Sequence, residues 1–260
     1  MSFEYAPRGF IGVLTPQANT TVEPEFGILL PPGIGMLAAR LTSARPTMEA
    51  RLVDYFGTLP ATLSQFADAP LRAVGFACTG SSYLAGRDAE DRIVGELSRR
   101  LGIHVTTSAL AVVDALQALG AHRIALVSPY PESLLQQSIG YWTSRGFNVG
   151  AVARVVATAA DRARSGSMHP VYAIGSDSAM QALDSLRGES PDAIVLLGTG
   201  MPSLTSILHA PPDVPVLSCT LALAWRCVLA VDGAPCSGES LRDWISAREW
   251  KARWQERCSA

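Results

Sequence analysis

Short apolar runs, each closed by proline, glycine or hydroxyl residues, alternate along the chain with stretches of helical spacing. The runs at Gly9–Thr15, Met36–Leu41, Ala73–Cys78, His104–Ser108, Arg123–Tyr130, Phe147–Val156, Asp192–Leu197 and Pro215–Thr220 predict strands. Between them, Glu49–Phe66, Asp88–Leu101, Ala109–Leu119, Glu132–Arg145, Ser176–Leu186 and Leu221–Val231 carry apolar residues at helical spacing. Gly102, Gly120 and Gly146 stand where helices stop. Strands alternating with helices predict an α/β fold with parallel sheets.

The pattern also repeats. Ile11–Pro16 matches Ile124–Pro129, Ala73–Gly80 matches Ala193–Gly200, and Val105–Ala111 loosely matches Val216–Ala222, in the same order. Three ordered matches point to a duplicated unit. The expected architecture is two pseudo-symmetric α/β lobes, residues 1–120 and 121–232, each a parallel-sheet unit, with the site in the cleft between them. Part of the C-terminal segment is free to cross over to the first lobe, and residues 233–260 form a helical tail. Its apolar positions Leu241, Trp244, Ile245, Trp250 and Trp254 predict a helix docked on the body. Contact with a second copy of the chain, giving a homo-oligomer, is the alternative reading, since interfaces favour Trp and Arg.

In parallel sheets, ligands bind at the carboxyl ends of the strands. The run ending at Cys78 spills there into Thr79, Gly80, Ser81 and Ser82, which gathers hydroxyls and backbone N–H groups around a thiol. A thiol with an ordinary pKa of about 8.5 is mostly protonated at neutral pH. In the second half the equivalent turn is Gly198, Thr199, Gly200 and Met201, so the chain has one thiol where a symmetric pair would need two.

Composition narrows the classes. The 260 residues are 48% hydrophobic and carry a net charge of −2, which argues against a nucleic-acid partner. The five cysteines show no metal spacing, and the four histidines form no ligand motif, so no metal is expected. No apolar run approaches a membrane span. The odd cysteine count and the lack of a secretory layout near residue 1 predict a reducing cytoplasm.

Thr15–Glu25, Ala77–Ser82, Ser128–Tyr130 and Gly198–Leu204 together resemble the maleate cis–trans isomerase and arylmalonate decarboxylase branch of the aspartate/glutamate racemase superfamily. The resemblance spans residues 9 to 231 and implies a cofactor-independent enzyme acting on a small dicarboxylate. It implies Cys78 as the catalytic residue. Substrate contacts are expected from Pro16, Gln17, Asn19, Thr79, Gly80, Ser81, Ser82, Tyr130, Gly198, Thr199, Gly200 and Met201. Superfamily racemases and isomerases place a second cysteine at the position of Gly198. The decarboxylases keep that second-lobe cysteine and have glycine on the first lobe, the mirror image of this chain. The isomerases carry an asparagine near residues 169–172, where this chain has His169, Pro170, Val171 and Tyr172.

One thiol cannot serve both faces of a carbon, which argues against two-base racemisation. Decarboxylation of a malonate-like diacid, with Cys78 as the proton donor, needs one acid only. That is the first expectation, supported by motifs free of Arg and Lys, since a cation clamp would stabilise the departing carboxylate in the ground state. Cis–trans isomerisation of a maleate-like diacid with Cys78 as nucleophile is the alternative. A carboxylate-binding protein without turnover is the third.

Overall fold

In the computed structural model the structure describes residues 3–166, 169–211 and 213–258. The first half contains β1 (Gly9–Pro16), α1 (Val22–Leu29), β2 (Ile34–Leu41), α2 (Met48–Gly57), α3 (Leu59–Leu63), β3 (Leu71–Phe76), α4 (Thr79–Ala85), α5 (Arg87–Leu101), β4 (His104–Thr107) and α6 (Ser108–Leu119). The second contains β5 (Arg123–Ser128), α7 (Glu132–Ser144), β6 (Asn148–Arg154), α8 (Ala159–Ser165), α9 (Ser176–Asp184), β7 (Ala193–Leu196), α10 (Leu204–Leu208) and β8 (Val216–Ser218). It continues into α11 (Cys219–Asp232), α12 (Gly238–Ile245) and α13 (Lys251–Cys258).

Two four-stranded parallel sheets result, ordered β2-β1-β3-β4 and β6-β5-β7-β8. The repeat seen in the sequence is a repeat of register. Ile11 pairs with Ala73 in one sheet, and its counterpart Ile124 pairs with Ala193 in the other. Helices cover both faces, so the central strands are apolar throughout: Ile11, Val13 and Leu14 are fully buried, as are Ile124 to Val127.

The helices after β4 and β8 are duplicates down to their caps. Thr107 and Ser218 both use the side chain to accept the backbone N–H three residues on, at Leu110 and Leu221. Gly120 and Gly233 both close the helix in the left-handed conformation with φ of 67°. The α11 helix, which follows the second sheet in sequence, packs against α6, α1, β1, β3 and β4 of the first half. Trp225 and Cys227 are buried in that contact, and Cys227 sits against Gly75.

Several expected elements differ in detail. The long helix over Glu49–Phe66 breaks into α2, α3 and a 3₁₀ turn at Ser64–Phe66, because Pro60 removes a backbone donor inside the run. The tail is two helices, split where Ala247 takes a φ of 61°. The α4 helix lies in a stretch read from the sequence as a turn, and α8, α10 and the 3₁₀ turn Pro170–Ala173 lie where the sequence predicts no element. Among the described residues no helix is long and apolar enough to cross a membrane.

Candidate active site

The ladder between β1 and β3 runs one bond past the strand, from Ala77 N–H to Leu14 O at 2.7 Å. The chain then leaves the sheet at Cys78, and α4 starts at Thr79. The second sheet does the same: Leu197 N–H donates to Val127 O at 2.9 Å, and the chain turns at Gly198. Gly198 has a φ of +88°, a conformation that favours glycine. A Cβ there would lie 3.3 Å from the Tyr130 hydroxyl, so the missing side chain also makes room for that phenol.

The two turns are sewn together by buried hydrogen bonds. Thr199 Oγ1 donates to Ala77 O at 2.8 Å, Asn19 Nδ2 to Thr199 O at 3.1 Å, and Thr21 Oγ1 to Gly200 O at 2.8 Å. Asn19 Oδ1 accepts from the backbone N–H groups of Thr21 and Val22, which caps α1. Above this seam lies a cavity of about 530 Å³. Pro16, Gln17 and Asn19 line it from the end of β1, Cys78, Thr79 and Gly80 from β3, Tyr130 from β5, and Gly198, Thr199 and Gly200 from β7.

Ser81, Ser82 and Met201 do not line the cavity, contrary to expectation. The chain beyond Cys78 closes into a helix instead of an open turn, and Ser81 and Ser82 are fully buried in it. Ser81 reaches the sulfur from behind, donating to Cys78 Sγ at 3.2 Å. Met201 and Leu204 are core residues, so the apolar part of the wall comes from elsewhere.

That part comes from residues the motifs did not include. Met48, Arg51, Leu52 and Tyr55 stand at helical spacing on one face of α2. Leu134 of α7 and His169, Val171 and Tyr172 of the second half complete the wall. Tyr172 packs over Gly200, where a Cβ would lie 2.7 Å from its ring. The expectation of an anion site free of Arg and Lys is therefore corrected: Arg51 lies in the wall. The signal was present as an arginine on the inward face of an amphipathic stretch, but only tertiary closure shows what that face meets.

The electrostatics follow from burial. Cys78 is 4% exposed, and desolvation pushes its thiol above the ordinary range, partly offset by the Ser81 hydrogen bonds. Burial also raises the Tyr130 phenol, which keeps its proton and shares a 2.9 Å hydrogen bond with Thr79 Oγ1. His169 is held below its usual value by burial and by the neighbouring Arg51 charge, so it is neutral at pH 7. Among the described residues no Asp or Glu lines the cavity, and no cluster of three His, Cys, Asp or Glu side chains is placed to hold a metal ion. The site thus presents a thiol, uncharged donors and one guanidinium, which suits a small anion.

The chain is similar in sequence and fold to known proteins. The model of the arylmalonate decarboxylase family matches residues 11–240. A maleate isomerase of Nocardia farcinica is 28% identical over 247 residues, covering 89% of this chain and 95% of that protein. A solved Nocardia farcinica maleate cis–trans isomerase mutant, with one cysteine changed to serine and a covalently bound succinylcysteine intermediate, superposes with a TM-score of 0.75. It is 26% identical over 90% of this chain and 98% of its own. The crystal structure of arylmalonate decarboxylase shares the fold, with a TM-score of 0.68 at 20% identity over 87% of this chain and 94% of its own.

Proposed function

The chain belongs to the arylmalonate decarboxylase family, within the maleate isomerase and arylmalonate decarboxylase branch of the aspartate/glutamate racemase superfamily, and on that premise we propose that it isomerises a cis-unsaturated dicarboxylate without a cofactor. The observation that carries this reading is the position of Cys78, the one thiol among the cavity's lining residues, on the first lobe and facing uncharged donors. The likeness to maleate isomerases supports it, as does the covalent succinylcysteine held by one of them.

The sulfur of Cys78 adds to one alkene carbon, and its proton passes to the neighbouring carbon. The carbon–carbon bond is then single and turns. Elimination returns the proton to sulfur and leaves the trans isomer, so atoms and charge balance over the cycle. Negative charge builds on the adjacent carboxylate as the sulfur adds. Donors for it are the one hydroxyl proton that the hydrogen-bonded pair of Tyr130 and Thr79 leaves free and the N–H groups of Thr199 and Gly200. Gln17 Nε2 is available to the second carboxylate, since among the described residues only the carbonyl of that amide is engaged, by Ser43 N–H.

Decarboxylation of a malonate with Cys78 as the proton donor is the second reading, favoured by the burial that keeps the thiol protonated. The experiment incubates the protein with cis-butenedioates and with malonates, following the trans product by proton NMR and carbon dioxide release in parallel. Conversion to the trans diacid without carbon dioxide, lost in Cys78→Ser, is the expected result. Carbon dioxide release would replace this reading with decarboxylation. Binding with no conversion of either class would leave a carboxylate-binding protein.

A further inference from the structure

Leu52 and Leu134 close on Gly80, where a Cβ would lie 2.9 Å and 3.5 Å from their methyl groups. Val171 and Tyr172 close on Gly200 in the same way, at 3.5 Å and 2.7 Å. The apolar wall therefore sits directly on the two turns beside the thiol, and the cavity is one chamber around Cys78. Three polar side chains of that chamber have no part in the chemistry described so far. Arg51 and Tyr55 come from α2, one helical turn apart on the same face, and Tyr172 comes from the second half.

Among the described residues, the Arg51 guanidinium makes no ion pair and neither phenol makes a hydrogen bond. The neighbouring Arg40, by contrast, is paired with Glu23 at 2.6 Å. The carboxylates closest along α2, Glu49 and Asp54, do not line the cavity, and Asp54 accepts from Ser43 Oγ at 2.5 Å. The charge of Arg51 acts on both phenols, Tyr55 acts on Tyr172, and a charge on Cys78 acts on both phenols as well. Tyr55 and Tyr172 are thus neighbours of the sulfur and of the guanidinium at once. Tyr55 is 5% exposed, and a buried phenol ordinarily finds a partner. All three side chains are donors, and what they lack in common is an acceptor.

We infer that Arg51, Tyr55 and Tyr172 together bind the second carboxylate of the substrate, beside the thiol, and so select a short dicarboxylate over a monocarboxylate of the same length. The planar Arg51 fork takes two carboxylate lone pairs and the phenols donate to those that remain. The reacting end rests on the isomerase reading; the subsite rests on the donors that the protein leaves unmet. The Gln17 amide is the competing donor, uncharged and already held by Ser43 N–H.

The test reads binding apart from turnover, through protection of Cys78 from iodoacetamide. Succinate and butyrate are compared, two saturated four-carbon acids that differ in the second carboxylate. Wild type is expected to be half-protected by succinate at a concentration at least about tenfold below that for butyrate, the scale of a hydrogen bond to a charged group. Arg51→Gln is expected to remove that preference while butyrate stays within a few-fold of its wild-type value, which shows that the chamber is intact. Arg51→Lys is expected to keep part of the preference. Tyr55→Phe and Tyr172→Phe leave every charge in place and are expected to weaken succinate about fivefold each, with little effect on butyrate. Equal protection of wild type by the two acids, a succinate preference that survives Arg51→Gln, or its loss in Gln17→Leu alone would overturn the inference. Proton NMR with a cis-butenedioate separates the two claims. Selective protection without conversion sinks the isomerase reading and leaves the subsite standing, whereas conversion by a protein that both acids protect equally sinks the subsite alone.

Discussion

Ser81 donates its hydroxyl to the sulfur of Cys78 at 3.2 Å, from the first turn of the helix that the cysteine itself starts. Burial pushes the thiol pKa up and this bond pulls it back. In Ser81→Ala only the backbone N–H of residue 81 still opposes burial, so the thiol ionises at higher pH. Alkylation of Cys78 at pH 7.5, followed by peptide mass spectrometry, is expected to slow about fivefold, the worth of one ordinary hydrogen bond. Unchanged alkylation would mean that Ser81 does not tune the sulfur.

Gly198 cannot be filled without cost. A side chain there takes a left-handed backbone at about 1–2 kcal/mol and presses on the Tyr130 hydroxyl, 3.3 Å from the built Cβ. Gly198→Ala is expected to lower the thermal midpoint by a few degrees and to reduce turnover by displacing the phenol from Thr79. Gly198→Cys, which would supply a second thiol, is expected to lose activity for the same reason. A gain in rate by Gly198→Cys would show that the turn yields more easily than its geometry implies.

Glu25 joins the two halves behind that turn. Its carboxylate accepts from Ser203 N–H at 2.6 Å and from Ser203 Oγ at 2.9 Å, and burial raises its pKa from 4.5 to about 7. Between pH 4.5 and 7 the folded protein therefore holds a proton that the unfolded chain has lost. Stability from this group is full below pH 4.5, falls as pH rises to about 7, and is level beyond. The span corresponds to about 3 kcal/mol. Urea unfolding of wild type and Glu25→Gln from pH 5 to 8 checks this: the difference between them should shift in favour of the variant as pH rises. A constant difference would rule out titration of Glu25.

Glu90 is the other buried carboxylate between the halves. On α5 it accepts from Thr107 Oγ1 at 2.6 Å, and from Tyr141 Oη and Arg145 Nη2 of α7, the latter at 2.7 Å. Glu90→Ala leaves Arg145, itself 7% exposed, with Asp91 alone. A loss of about 3–5 kcal/mol in chemical denaturation is expected, with little change in the fluorescence of the folded state. A loss under 1 kcal/mol would show that solvent replaces the missing partner.

The strands, their order of repetition and the thiol at a strand end were legible because buried parallel strands are short, apolar and closed by turn residues. The pairing of Ile11 with Ala73 was not read from the sequence, because the repeat relates the two halves and not the strands within one. The first turn of α4 was not legible. Thr79, Gly80, Ser81 and Ser82 have weak helix propensity, and packing against α2, α5, α6 and α7 overrides it. Arg51 and Tyr172 lie far from the motifs along the chain and reach the cavity only when the halves close. The bond from Asn19 across to Thr199 depends on the second half and could not be read locally.

The return of α11 onto the first sheet ties sequence halves into one object. A break in the chain after Gly120 would leave β3 and β4 without the helix that shields them, exposing the face at Gly75 to solvent. Neither fragment would then be a free-standing module, and an ancestral single-lobe version would have needed a twin to borrow that helix from.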